Sequence, residues 1–242
     1  MNICLFTPQE IQKPLTITDE RAQHLIKVLH KKEGDTFTAG IIGAQSGTAT
    51  IVCINPDKSN GYISFKFEPN GNGKPLKSLK MIIGFPRPIQ LKRLLRDIAA
   101  LGVSEVHLTG TELGEKSYMQ STLVEKGSAY KMLLDGTVQA GSTHVPELFL
   151  HKTLTECLEA LPKNELRIAL DNINPACALT DAVKKTPTIA AIGSERGWTD
   201  KERALLENSG FIRCGMGERI MRTETAATVA GAIILAQMGE LQ

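Results

Sequence analysis

The residues best suited to chemistry lie late in the chain, in three clusters. Leu170 and Asp171 close one apolar run. Ile192, Gly193, Ser194, Glu195, Arg196 and Gly197 ("IGSERG") follow a second. "MGERIMRTET" follows a third, with Met216, Gly217, Arg219, Ile220, Met221, Arg222, Glu224 and Thr225. Glycine lets a backbone come close to a ligand. Thioether and aliphatic side chains suit the face of a flat apolar ring. A guanidinium can hold negative charge that develops on a reacting group. Taken singly, each stretch is equally a turn between a strand and a helix. No Ser/His/Asp or Cys/His arrangement is evident, since the five histidines are dispersed. The five cysteines, Cys4, Cys53, Cys157, Cys177 and Cys214, form no CxxC pair. Neither a metal site nor a disulfide framework is expected, and the thiols read as reduced and mostly buried.

The elements that must position these clusters fall into two regimes. Up to about residue 70 the chain reads as short strands, "TFTAGII", "GTATIVCI" and "GYISFKF", interrupted by one helix from Thr18. Thr18 is the expected N-cap of that helix, Gly34 its stop, and Leu25, Val28 and Leu29 its apolar face. Several short strands and one helix suggest a small barrel. "EPNGNGKPLK" reads as a linker. Its "GNGKP" fails as a phosphate loop, because Pro75 follows Lys74 where Ser or Thr is needed. From residue 79 strands and helices alternate, through "LKMIIGF", "IQLKRLLRDIAALGV", "EVHLTG", a helical stretch near 121 to 140, "PELFL", "TLTECLEAL", "LRIALD", "TIAAIG", "DKERALLEN", "FIRCG" and "TETAATVAGAIILAQM". Capping boxes are expected at Thr153/Glu156 and Thr199/Glu202. Alternation of this kind implies an α/β domain with a mainly parallel sheet covered on both faces.

Ligands of such sheets bind beyond the carboxyl ends of the strands. A dinucleotide fold would carry its glycines after the first strand, where "GFPRPI" stands instead. A nicotinamide enzyme or an ordinary Rossmann methyltransferase is disfavoured. The net charge of +2 neither demands nor excludes nucleic acid. The apolar runs are too short to span a bilayer, and the start "MNICLFTPQE" has no signal-peptide pattern, so a cytoplasmic location is expected.

Read together, "IGSERGWTDKE" and "MGERIMRTETAA" resemble the cofactor-loop motifs of the SPOUT methyltransferases, in particular the RsmE-type 16S ribosomal RNA uridine-N3 methyltransferases. "HLIKVLHKKEGD", "ALGV" and "VQAGSTHVPEL" add weaker likeness along the chain. The resemblance implies a PUA-like β-barrel over residues 1–72 that contacts RNA. It implies a SPOUT domain with a trefoil knot over residues 76–242, S-adenosylmethionine as cofactor, a homodimer, and ribosomal RNA or the small ribosomal subunit as partner. On this reading Leu170, Asp171, Ile192, Gly193, Ser194, Glu195, Gly197, Met216, Gly217, Ile220, Met221 and Thr225 hold the cofactor. Arg222, then Arg219, would stabilise the anionic uracil, with Glu224 beside them. Lys27, Lys31, Lys32, Arg87, Lys92 and Arg93, with Arg96, are the expected RNA contacts.

Departures from the family pattern cluster at positions expected to meet phosphate. Asn2, His30, Asp97, Val138 and Ser142 stand where charged residues of the family are expected, and Ser194 and Arg196 replace a proline and a glycine. The segment up to Lys74 is nearly neutral, with eight Lys/Arg against seven Asp/Glu. Two readings stand side by side: an active uridine-N3 methyltransferase, and a divergent paralogue with another RNA substrate or acting mainly as an RNA- or cofactor-binding module.

Overall fold

The structure, a computed structural model, describes residues 2–57, 59–119 and 127–241. The chain forms two compact units. The first comprises residues 1–75 and returns for 137–145, a segment that the sequence reading placed with the second domain. Inside this unit Thr143 N donates to Gly73 O at 2.9 Å, and Ser142 Oγ donates to Lys74 O at 2.9 Å.

In chain order the first unit holds β1 (Cys4–Phe6), β2 (Leu15–Thr16), α1 (Glu20–Gln23), β3 (Thr36–Ile41), β4 (Ser46–Asn55) and β5 (Tyr62–Gly71). They make one sheet in the order β1-β3-β4-β5-β2, antiparallel except for β1 on β3. Alternate residues of the strands turn inward, so Phe6, Phe37, Ala49, Ile51 and Ile63 share a core with Leu25. Phe65 packs on Phe6 and Phe37 with ring centroids 5.0 and 5.6 Å apart.

Three local expectations need correction here. The helix is capped by Asp19, not Thr18: the Asp19 carboxylate accepts from Arg21 N at 2.8 Å. The helix does not run to Gly34. After Gln23 it widens into a π-turn over His24–Val28, with Leu29 N donating to His24 O at 3.0 Å. The wider turn moves later side chains off the face of Leu25. Val28 and Leu29 are 59% and 44% exposed, not buried. Finally, much of the expected linker is strand. β5 continues through Pro69 to Gly71 against Ser46–Thr48, past an irregularity between Ser46 and Gly47 that tolerates a proline.

The second unit holds β6 (Lys77–Gly84), α2 (Pro88–Leu101), β7 (Val103–Thr109), α3 (Lys116–Met119), most of α4 (Ser128–Ala140), β8 (Glu147–His151), α5 (Leu154–Glu159), β9 (Leu166–Leu170), β10 (Cys177–Ala178), α6 (Leu179–Ala182), β11 (Thr188–Ile192), α7 (Asp200–Asn208), β12 (Ile212–Gly215) and α8 (Thr223–Met238). The part of the expected 121–140 helix before residue 127 lies outside the described residues. The sheet is parallel throughout, ordered β10-β12-β9-β11-β6-β7-β8. Its central strands are apolar on both faces: Met81, Ile82 and Ile83 of β6 and all of β11 are buried. Leu91, Leu94, Leu95 and Ile98 bury one stripe of α2 as their spacing requires. No described helix is long and apolar enough to cross a membrane.

Candidate active site

Because every strand of this sheet points the same way, the loops after β9, β11 and β12 emerge on one edge. They enclose a cavity of about 450 Å3. Its first wall is Leu170, Asp171, Asn172 and Ile173. The second is Ile192 to Trp198, with Arg203 behind it. The third is Cys214, Met216, Gly217, Arg219, Ile220, Met221, Thr223 and Ala226, and Leu113 lies at the side.

Each wall is fixed by a specific contact. Asp171 is buried, and two guanidiniums hold its carboxylate: Arg203 Nε at 2.7 Å and Arg213 Nη1 at 3.3 Å from Oδ2. Burial pushes this carboxyl up, but the hydrogen bond from Arg203 leads a set of contacts that holds it below the ordinary carboxylate range. Asp171 Oδ1 also accepts from Ile173 N at 3.1 Å, which turns the chain after β9. Trp198 is buried, and its Nε1 donates to Leu170 O at 3.0 Å, tying the first wall to the second. Thr223 Oγ1 donates to Gly193 O at 3.2 Å, tying the second to the third.

"IGSERG" is both a tight turn and a wall. Gly197 N donates to Ser194 O at 2.8 Å, and the two residues form an isolated antiparallel bridge. The turn needs its second glycine, since Gly197 has φ of 72°. Arg196 does not lie in the left-handed region, so arginine is tolerated there. Its side chain is exposed at the edge of the cavity. Ser194 is buried, and its Oγ has no hydrogen-bond partner. Beneath the loop lies Gly84 at the end of β6. A Cβ there would stand 2.5 Å from Ser194 N and 3.0 Å from the Gly193 carbonyl carbon. The turn "GFPRPI" lacks a dinucleotide fingerprint, yet its one glycine lets another backbone loop lie against the strand end.

Of the residues expected to hold a cofactor, all but Thr225 line this cavity, and Arg219 joins them. Arg222, Glu224 and Thr225 do not line it. Arg222 is exposed at the N-cap of α8, Glu224 is buried in the first turn, and Thr225 is exposed. No ion pair among the described residues engages Arg219 or Arg222. No signal in the sequence singled out Trp198, Arg203 or Arg213 for the site, and Cys214, expected only as a reduced, mostly buried thiol, lines the cavity. Only the Thr199/Glu202 box, which is present in full and opens α7, marked where Arg203 would sit. Cys177 and Cys214 are register partners on adjacent strands with sulfurs 3.7 Å apart, a pairing that sequence spacing could not show.

The expected RNA contacts divide between the units. In the first, Lys27 and Lys32 are exposed and Lys31 is half-buried. In the second, Lys92 and Arg93 are exposed on α2, Arg96 lies 3.4 Å from Asp135, and Arg87 pairs with Glu195 at 3.3 Å.

Residues 72–235 match the model of the RNA methyltransferase domain family. The chain is 39% identical to ribosomal RNA small subunit methyltransferase E of Treponema pallidum, covering 98% of this chain and 91% of that protein. It is 32% identical to ribosomal RNA small subunit methyltransferase E 1 of Borreliella burgdorferi, covering 98% of both. The fold is shared with ribosomal RNA small subunit methyltransferase E of Neisseria gonorrhoeae, a structure bound to S-adenosyl methionine. That match has a TM-score of 0.78 at 21% identity, over 98% of this chain and 97% of that one. It is shared too with a probable rRNA-methyltransferase of Porphyromonas gingivalis, at a TM-score of 0.79 and 18% identity over the whole of both chains. With a family model spanning the parallel-sheet unit and relatives aligned end to end, the chain belongs to the ribosomal RNA small subunit methyltransferase E (RsmE) family of RNA methyltransferases.

Proposed function

We propose that this protein transfers a methyl group from S-adenosylmethionine to N3 of a uridine in 16S ribosomal RNA of the small subunit. The observation that carries this reading is the convergence of three strand-end loops on one cavity of about 450 Å3, a size that suits a nucleoside cofactor.

The residues present fit the cofactor. Leu170, Ile192, Met216, Ile220 and Met221 give apolar walls for an adenine face. Ser194 Oγ is a buried polar atom still without a partner, as expected of a group reserved for a ligand. S-adenosylmethionine held by these residues would supply an electrophilic methyl group on a sulfonium, whose leaving group is a neutral thioether. Asp171 positions the first wall rather than neutralising the ligand, because its charge is already met by Arg203 and Arg213.

On the acceptor side, uracil N3 must lose its proton to water before it attacks, and the charge spreads onto the ring oxygens. Arg222 at the start of α8 and Arg219 at the cavity are the cations offered to that charge, and no carboxylate of the described residues engages them. The free N–H groups of the first turn of α8, beside Glu224 and Thr225, favour negative charge in the same place. With this reading go a PUA-like first unit presenting Lys27, Lys31 and Lys32 to RNA, a trefoil-knotted second unit, Arg87, Lys92 and Arg93 as further phosphate contacts, a cytoplasmic location and a homodimer.

Incubation with labelled S-adenosylmethionine and undermethylated small subunits, followed by mapping of the methyl group, tests the reaction. The expected product is a single N3-methyluridine in 16S RNA. Cofactor binding without transfer would instead favour a divergent module. Sedimentation of the purified protein reads the dimer.

A further inference from the structure

Away from the cavity, a second set of groups capable of chemistry is buried between β7, β8 and α5. His107, His151 and Cys157 are 2%, 8% and 0% exposed. None lines the cavity, and the methyl transfer uses none of them. The two imidazoles lie nearly in one plane, tilted 14° with centroids 5.3 Å apart, and His107 Nδ1 is 3.0 Å from His151 Nε2. With Cys157 Sγ the three ligand atoms all lie within 4.8 Å of one another. We propose that His107, His151 and Cys157 are a binding site for a divalent cation of the zinc class.

Two imidazole nitrogens and a thiolate are the donor set that zinc prefers over magnesium or calcium. The surroundings carry the argument further. His107 Nε2 is 3.0 Å from Glu105 Oε2. A carboxylate there accepts a hydrogen bond from Nε2–H and leaves Nδ1 unprotonated toward His151, as the carboxylate behind a metal-bound histidine does. Phe149 stacks on His107 at 4.7 Å and 12°, which holds the ring plane.

The charge balance is independent of that geometry. Lys80 bridges Glu105 at 3.1 Å and Glu165 at 3.0 Å, so this trio carries one net negative charge. Glu165 Oε2 is buried without a partner. Glu156 adds a further negative charge that acts on both His151 and Cys157, so the groups around the three ligands favour a cation.

The fit asks all three ligands to move. Tetrahedral zinc places nitrogen ligands about 3.3 Å apart and sulfur about 3.6 Å from nitrogen. The ring pair opens by a few tenths of an ångström and both rings turn so that their lone pairs converge beside the N–N line, while the sulfur closes by about 1 Å. Without metal, His151 Nε2–H donates to His107 Nδ1. The cation takes the place of that proton, which moves to His151 Nδ1, while the thiol proton leaves to water. Three protein ligands leave the fourth position for a water. The site would then bind β7 and β8 to α5 at the edge of the sheet.

The test is a cobalt(II) titration of the full-length protein after dialysis against a chelator. One equivalent should bind, with thiolate-to-cobalt charge-transfer absorption and the visible bands of four-coordinate cobalt, and zinc should displace it. Cys157→Ser should lose the charge-transfer band, and Glu105→Gln should weaken binding by about tenfold or more. Failure of the wild-type protein to take up cobalt would overturn the proposal by itself, whether or not a variant folds, and leave a hydrogen-bonded histidine pair. Persistence of the band in Cys157→Ser would overturn it too, moving the metal to another thiol such as the Cys177–Cys214 pair.

Discussion

Arg203 Nε lies 2.7 Å from Asp171 Oδ2, and this pair joins the end of β9 to helix α7 across the back of the cavity. Arg213 reaches the same oxygen from β12. Three elements that the chain makes far apart are thereby held at one carboxylate. Asp171→Asn leaves two guanidiniums without that charge and should cost about 3 kcal/mol of stability. The sign of the pH dependence follows from the lowered carboxyl. The stabilisation is whole above the unfolded-state value near 3.8 and is lost as pH falls through the lower folded value. Urea denaturation at neutral and acid pH should show the wild-type advantage at pH 7 and its shrinkage below about pH 4.

Gly84 presses against the backbone of Gly193 and Ser194. Backbone cannot swing aside as a flexible side chain can, so Gly84→Ala should move the whole second wall. A loss of about 1–3 kcal/mol is expected, together with weakened S-adenosylmethionine binding in calorimetry. Unaltered affinity would separate the loop's position from its role in the cavity.

Arg222→Ala should keep cofactor affinity, because Arg222 does not line the cavity. Transfer should fall by about 10²–10³-fold if the guanidinium meets the developing uracil charge. Trp198 is the chain's single tryptophan and lines the cavity, so its fluorescence reports binding separately from turnover. A variant with normal kcat would leave Arg219 as the remaining candidate.

Arg196 stands exposed at the cavity, where its positive charge would oppose a cationic cofactor. Arg196→Gly should tighten cofactor binding by a few-fold. Its backbone angle does not require glycine, so folding should change little. Calorimetry with no gain would clear Arg196 of obstructing the site.

Glu202 closes the capping box of α7 and also accepts from Glu112 N at 2.8 Å while buried. Glu202→Ala should cost about 1–2 kcal/mol, read as a lower thermal midpoint. Glu202→Gln should recover part of that loss, since an amide oxygen can still accept.

Much of the second unit was legible in the sequence because its signals are local. Buried parallel strands are continuous apolar runs, as in "TIAAIG". The stripe of α2 repeats at helical spacing. The Thr199/Glu202 box announces α7 from side chains three residues apart. The three late loops follow strands of one parallel sheet and so could share an edge, and the resemblance of their motifs to one family joined them into a single site. The misreadings came where local pattern was overruled. A π-turn after Gln23 broke the helical register, so Val28 and Leu29 face out. Pro69 looked like a linker because its strand partner at Gly47 is distant in sequence. The meetings between remote residues came from the packing alone: Asp171 with Arg203 and Arg213, Gly84 under Ser194, Cys177 beside Cys214, and His107 against His151 near Cys157. Sequence spacing carries no information on which side chains a sheet register brings face to face. That is set by how strands pair and helices pack, and it is there that this chain's charges, thiols and imidazoles acquire their partners.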